Sequence, residues 1–105
     1  KKSDNGVTPL LNAAQMNHTA TAEILLRHEP DFSLTNRERM TALSIAAAEG
    51  NEQVLEAMLK QGADPNLMDR NNNPPLFWAV FRKQRGAIRV LLNHGAEAGT
   101  MAVDL

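Results

Sequence analysis

The stretch that decides the fold is Met40-Thr41-Ala42-Leu43-Ser44-Ile45-Ala46-Ala47. Thirty-three residues earlier, the chain has Val7-Thr8-Pro9-Leu10-Leu11-Asn12-Ala13-Ala14. The same distance later, it has Asn73-Pro74-Pro75-Leu76-Phe77-Trp78-Ala79-Val80. An internal repeat with a fixed period of this length predicts stacked supersecondary units rather than one closed core.

Each unit carries the signals of two short helices joined by a tight turn. Thr8, Thr41 and Thr19 are good N-cap residues, and Pro9 suits the first position of a helix, where no amide hydrogen is required. Gly62 stands where a helix ends. The sequence therefore predicts six helices, at about 9–16, 19–28, 42–49, 52–61, 75–82 and 85–94.

Two short motifs give the repeat a family resemblance. Asn5-Gly6-Val7-Thr8-Pro9-Leu10 and Gly62-Ala63-Asp64-Pro65-Asn66 resemble the two signatures of the ankyrin repeat. The resemblance covers about residues 3–101 and implies an all-α ankyrin-repeat solenoid, in which stacked helix-turn-helix units are joined by protruding β-turn loops. It implies one domain over 1–105, with repeats at about 3–35, 36–68 and 69–101, and with 102–105 as a tail or the start of a further repeat.

Some positions depart from the regular pattern. Arg39 and Glu29 stand where other units have glycine, so these residues are expected to hold strained, positive φ angles. Leu92 and Trp78 fall at positions expected to be buried within and between the units.

Composition restricts the function classes. Eleven basic and 12 acidic residues leave a net charge of −1, so neither a nucleic acid nor a membrane is the expected partner. The chain has no cysteine, and its three histidines do not have the spacing of a metal site. We expect no cofactor, no metal and no catalytic activity, because no nucleophile–base pair stands out. A cytoplasmic or nuclear location fits this composition.

The resemblance implies a non-catalytic module that binds a partner protein or peptide through a concave groove. Methionine is frequent on adaptable binding surfaces, and several methionines fall at groove positions of the family. The residues that the resemblance places in this predicted groove are Val7, Gln15, Met16, Arg37, Met40, Ala48, Glu49, Met68, Arg70, Asn73, Phe81 and Arg82.

Two other functions fit the same sequence. The apolar segment 101–105 could make end-to-end contacts, which would give a structural, self-assembling array. The repeats could instead be a targeting module of a larger enzyme or regulatory protein.

Asn66 resembles the turn asparagine that hydroxylases modify in some ankyrin proteins, so it is a candidate hydroxylation site.

Overall fold

The computed structural model describes residues 9–28 and 31–97, and this portion of the chain forms six α-helices. Their positions agree closely with those predicted from the repeat. The helices are α1 Pro9–Met16, α2 Thr19–Leu26, α3 Ala42–Glu49, α4 Glu52–Lys60, α5 Pro75–Phe81 and α6 Arg85–Asn93.

The helices form two layers. The first helices of the three units lie side by side, with α3 between α1 and α5. The second helices form the other layer, with α4 between α2 and α6. Small residues allow this close packing, since Ala13, Ala46 and Ala79 are fully buried in the three first helices. The core is therefore a continuous band of apolar contacts along the stack, as a repeat fold requires.

The N-cap predictions had different outcomes. Thr41 is the N-cap of α3, and its hydroxyl accepts a hydrogen bond from the Ser44 amide at 3.1 Å. The prediction for Thr19 is wrong, because Thr19 is the first helical residue and His18 is the N-cap. The short turn before α2 explains the difference. The His18 amide bonds back to Ala13 O of α1 at 2.9 Å, so His18 both closes the turn after α1 and caps α2, which begins at Thr19.

The turns between units are braced by side chains. Asn36 Oδ1 accepts hydrogen bonds from the amides of Glu38 and Met40 at 2.9 and 3.0 Å. One period later, Asp69 Oδ1 accepts from the amides of Asn71 and Asn73, both at 2.9 Å. The repeat is thus preserved in the hydrogen bonds of the turns as well as in the helices.

Two kinds of turn contain non-glycine residues with positive φ. Arg39 has a φ of 66°, as predicted, and Asn72 has 62° at the equivalent position. In the turns within units, Asn17 and Lys83 have φ values of 56° and 59°. The prediction for Glu29 falls outside the described residues. Lys83 is the less expected case, because its equivalent in the middle unit is a glycine.

Two burial predictions need correction. Leu92 is 39% exposed, although Leu26 and Leu59 in the same position are 4% and 7% exposed. Trp78 is only half-buried, whereas the equivalent Ile45 is 3% exposed. Leu92 is exposed because it belongs to the third unit, beyond which no described helix packs. Trp78 is larger than Ile45 and reaches Asp69, to which its Nε1 donates at 2.6 Å.

Candidate partner-binding groove

The predicted groove residues have mixed exposure in the structure. Val7 lies outside the described residues. Met40 and Asn73 are half-buried, and Met40 packs against the core. Eight predicted residues are exposed to solvent: Gln15, Met16, Arg37, Glu49, Met68, Arg70, Phe81 and Arg82.

The prediction for Ala48 is wrong, because this side chain is only 2% exposed. Every residue of α3 from Ala42 to Ala48 is buried, since α3 packs between α1 and α5. A methyl group at this position is too short to reach past its neighbours. Ala48 therefore offers a partner no side chain.

One row of exposed side chains crosses all three units. Met16, Glu49 and Arg82 occupy equivalent positions at the ends of α1, α3 and α5, and all three are exposed. Gln15 links the first two units at this row, because its Nε2 donates to Glu49 Oε2 at 3.3 Å. The row offers an apolar, an acidic and a basic group in that order.

A second row lies along the turns. Arg37 and Arg70 are exposed at equivalent positions of the second and third units. The backbone between them is coupled, since the Arg70 amide donates to Arg39 O at 3.0 Å. Asn71 Nδ2 adds a hydrogen bond to Glu38 O at 3.1 Å. Neighbouring turns are thereby held in register, which fixes the spacing of the backbone at the two arginines.

An aromatic cluster lies beside the rows, and the sequence did not predict it as a unit. The Phe81 ring is 65% exposed and stacks on Phe77, with ring centroids 5.9 Å apart. Trp78 meets both phenylalanines edge to face, and its Nε1 donates to Asp69 Oδ2 at 2.6 Å. Asp69 is 5% exposed and holds both this indole and its own turn. The three aromatic residues within 77–81 were the feature of the sequence that could have predicted this cluster.

Asn66, the candidate hydroxylation site, contributes to the contact between units. Its side-chain Oδ1 accepts from the Glu97 amide at 2.8 Å, and its own amide donates to Asp64 Oδ1 at 2.9 Å. An enzyme that modified Asn66 would need to break the contact with Glu97. Hydroxylation of Asn66 stays a prediction.

The carboxylate of Asp31 has a perturbed pKa. Hydrogen bonds from the hydroxyl and the amide of Ser33 stabilise its charged form and hold the pKa of Asp31 below its ordinary value. Asp64 braces the equivalent turn of the next unit, through the bond to the Asn66 amide. Both carboxylates brace turns, a structural role that accounts for them without catalysis.

The described residues show neither a metal-binding cluster nor a membrane-spanning helix. Within 9–28 and 31–97, no three His, Cys, Asp or Glu side chains lie close enough together to hold a metal ion. None of the helices that the structure describes has the length and apolar character needed to cross a membrane.

Comparison with known proteins decides the family. A sequence model of ankyrin repeats, described as three copies, matches residues 1–69 and 28–102. The chain belongs to the ankyrin repeat family. The predicted resemblance and the all-α repeat fold are thereby confirmed. Ankyrin repeats in general are protein–protein interaction modules, and the family is typically non-catalytic.

Similar ankyrin sequences occur in proteins of different kinds. An ankyrin repeat-containing protein of Treponema pallidum (strain Nichols) is 36% identical over 85% of this chain. A protein of Oryza sativa subsp. japonica, named as an E3 ubiquitin-protein ligase, is 34% identical over 87%. The human mitochondrial disaggregase is 38% identical over 66%. The chain spans 30%, 21% and 10% of the length of these three relatives.

Proposed function

We propose that this ankyrin domain binds an extended or helical peptide of a partner protein through the predicted groove, and that it catalyses no reaction. One observation supports the choice of surface. Five large apolar side chains are exposed among the described residues, and three of them, Met16, Met68 and Phe81, belong to the groove predicted from the sequence. An apolar patch left open to solvent usually marks an interaction site, and the proposal requires these three side chains to form one.

The charges around these side chains indicate the chemistry of the peptide. Arg37, Arg70 and Arg82 are exposed near the second and third units, while Glu49 is the acidic member of its row. A peptide with an apolar anchor near Met16 and acidic residues toward the third unit would match this arrangement. Charged groups at the rim of an interface favour the correct orientation and faster association more than they add affinity.

The structure offers a matched pair of variants for a test. Met16 is 56% exposed on α1, a first helix, and Ile24 is 55% exposed on α2, a second helix of the same unit. Truncating either to alanine removes a similar exposed apolar side chain. Only Met16 belongs to the predicted groove, so the two variants separate the groove from the opposite layer.

The experiment selects a ligand and then measures its affinity. Peptides selected from a displayed random library against the whole chain would be labelled and titrated by fluorescence anisotropy. We expect Met16→Ala to raise the Kd about tenfold, which corresponds to ~1.4 kcal/mol, and Ile24→Ala to leave it unchanged. An equal loss for both variants, or a loss for Ile24→Ala alone, would place the binding surface elsewhere.

A role within a longer protein is a second candidate. The relatives that this chain matches are several times longer, and one of them is named as an E3 ubiquitin-protein ligase. In such a protein the ankyrin groove would hold a partner beside another domain. Determining the sequence of the full transcript from its source would test this directly, and a stop codon after Leu105 with a start codon before Lys1 would contradict it.

A further inference from the structure

The turn between α5 and α6, together with α6 itself, carries four basic side chains, and one of them belongs to the predicted groove. Here the basic patch means Arg82, Lys83, Arg85 and Arg89, all of which are exposed. We propose that the basic patch binds a short acidic segment of the partner protein. This deepens the proposed function, because the patch meets the groove at Arg82 and the acidic segment would continue the bound peptide beyond it.

The lack of ionic partners within the basic patch is the first observation. In the described part of the chain, ion pairs are formed by Glu56 with Lys60 at 4.0 Å and with His94 at 3.1 Å, and none includes a member of the patch. Arg85 and Arg89 also stand one helical turn apart on α6, which places two like charges on the same face of a helix. Like charges at this spacing destabilise a helix, so an anion that bridges the two arginines would remove that cost.

The middle unit has the opposite charge at the same positions. One period before the three arginines of the basic patch, the chain has glutamates, namely Glu49, Glu52 and Glu56. The side chains of these glutamates lie against other groups, which belong to Gln15, Gly86 and His94 respectively. The reversal of charge therefore produces no pairing between the two units, and the arginines stay open to an anion from outside the domain.

The same glutamates limit the size of the anion. Glu49 and Glu52 are exposed one unit away from the basic patch, and neighbouring helices in a stack lie ~8–10 Å apart. A ligand that is anionic over a long surface, such as duplex DNA or an anionic bilayer, would meet these carboxylates as well as the arginines. A short acidic segment would meet the arginines alone, so charge complementarity favours the short segment.

The backbone at Lys83 adds a separate observation. Its φ is 59°, in the left-handed region, where the middle unit has Gly50 at 71°. This region disfavours lysine, and strained backbone is frequent at functional sites. A lysine here supplies a charge to the basic patch at a cost in stability, which is expected if the charge has a function.

The spacing of the arginines indicates the form of the acidic segment. Side chains one helical turn apart have Cβ atoms ~5–6 Å apart. Alternate residues of an extended chain point in the same direction and are about 6–7 Å apart. Glutamates at alternate positions of an extended segment would therefore reach Arg85 and Arg89 together, beside a hollow of ≈ 520 Å³ that both arginines line.

The test uses a defined probe and a matched pair of variants. The probe is a short peptide in which glutamate and serine alternate, and its control has glutamine in place of glutamate. Each peptide is titrated into the isotope-labelled whole chain and followed by NMR at physiological salt. The variant R85Q/R89Q is compared with R27Q/K60Q, because Arg27 and Lys60 are exposed at the ends of α2 and α4 and their replacement changes the net charge equally.

We expect the glutamate peptide to shift the resonances of the basic patch, and R85Q/R89Q to raise its Kd about threefold to tenfold, because exposed ion pairs contribute modestly. R27Q/K60Q should leave the Kd unchanged, since charges farther away than ~8 Å are screened at this salt concentration. Lys83→Gly should weaken binding while stabilising the fold, a combination that misfolding does not produce. Equal losses in the two double variants, or equal binding of the glutamine peptide, would overturn the proposal.

Other occupants of the basic patch have their own signatures. Tighter binding of duplex DNA or of anionic lipid vesicles than of the peptide, lost in R85Q/R89Q, would show a different class of partner and overturn the proposal. A mass that grows with concentration in sedimentation velocity, but not for R85Q/R89Q, would show a second copy and also overturn it. Arg85 and Arg89 lie outside the groove, and the library-selected peptide is tested separately through Met16, so either proposal can fail while the other stands.

Discussion

Lys83 occupies a backbone conformation that suits glycine better than lysine. Its φ is 59°, and the equivalent residues Asn17 and Gly50 have φ values of 56° and 71°. The Lys83 amide donates to Val80 O at 3.0 Å, and the next amide, of Gln84, donates to Ala79 O at 2.8 Å. This is the Schellman pattern at the end of α5, and it requires a left-handed residue at Lys83.

The expected gain from relieving this strain follows from two opposing terms. A non-glycine residue in the left-handed region costs roughly 1–2 kcal/mol. Glycine is more flexible in the unfolded chain, and this offsets about 0.4–1 kcal/mol. We therefore expect Lys83→Gly to stabilise the domain by about 0.5–1 kcal/mol, which raises the melting temperature by about 2–8 °C at this size.

A denaturant titration followed by far-ultraviolet circular dichroism measures this change. Lys83→Asn tests the same cause without the added flexibility, because asparagine tolerates the left-handed region and occurs there naturally at Asn17. The control is Arg82→Gly, which removes a neighbouring exposed basic side chain at a φ of −93° and should destabilise. A midpoint that does not rise for Lys83→Gly, or that rises equally for Arg82→Gly, would refute the assigned strain.

Three further predictions concern other contacts. Leu59→Ala removes a side chain only 7% exposed between units and should cost ~2–5 kcal/mol, with the whole helical signal lost in one thermal transition. Ser33→Ala should raise the pKa of Asp31, which an NMR titration would measure. Because the pKa of Asp31 is lower in the folded state, the stability that its carboxylate contributes is present above the unfolded pKa. That stability is lost as the pH falls through the native pKa. Phe81→Ala removes a stacked contact with Phe77 and an edge contact with Trp78, so it should lower the free energy of unfolding by about 1–3 kcal/mol in a denaturant melt; no change would mean that these rings do not pack in solution.

The sequence predicted the helices well because each unit repeats its signals. Thr41 and Gly62 mark helix ends by their own chemistry, and the fixed period transfers those ends to units with weaker signals. Lys83 shows the limit of local chemistry, since nothing in a lysine indicates a left-handed turn. Lys83 lies one repeat period after Gly50, so applying the period strictly would have predicted its positive φ.

Burial was less predictable than helix position, because it depends on what packs against a residue rather than on the residue itself. Leu59 and Leu92 carry the same side chain at the same position, yet only Leu59 has a further described helix over it. Ala48 failed as a groove residue because its methyl group is short, whereas the longer Gln15 at the same position of the first unit is exposed. Periodicity gives the direction of a side chain, while its size and the number of neighbouring units give its exposure.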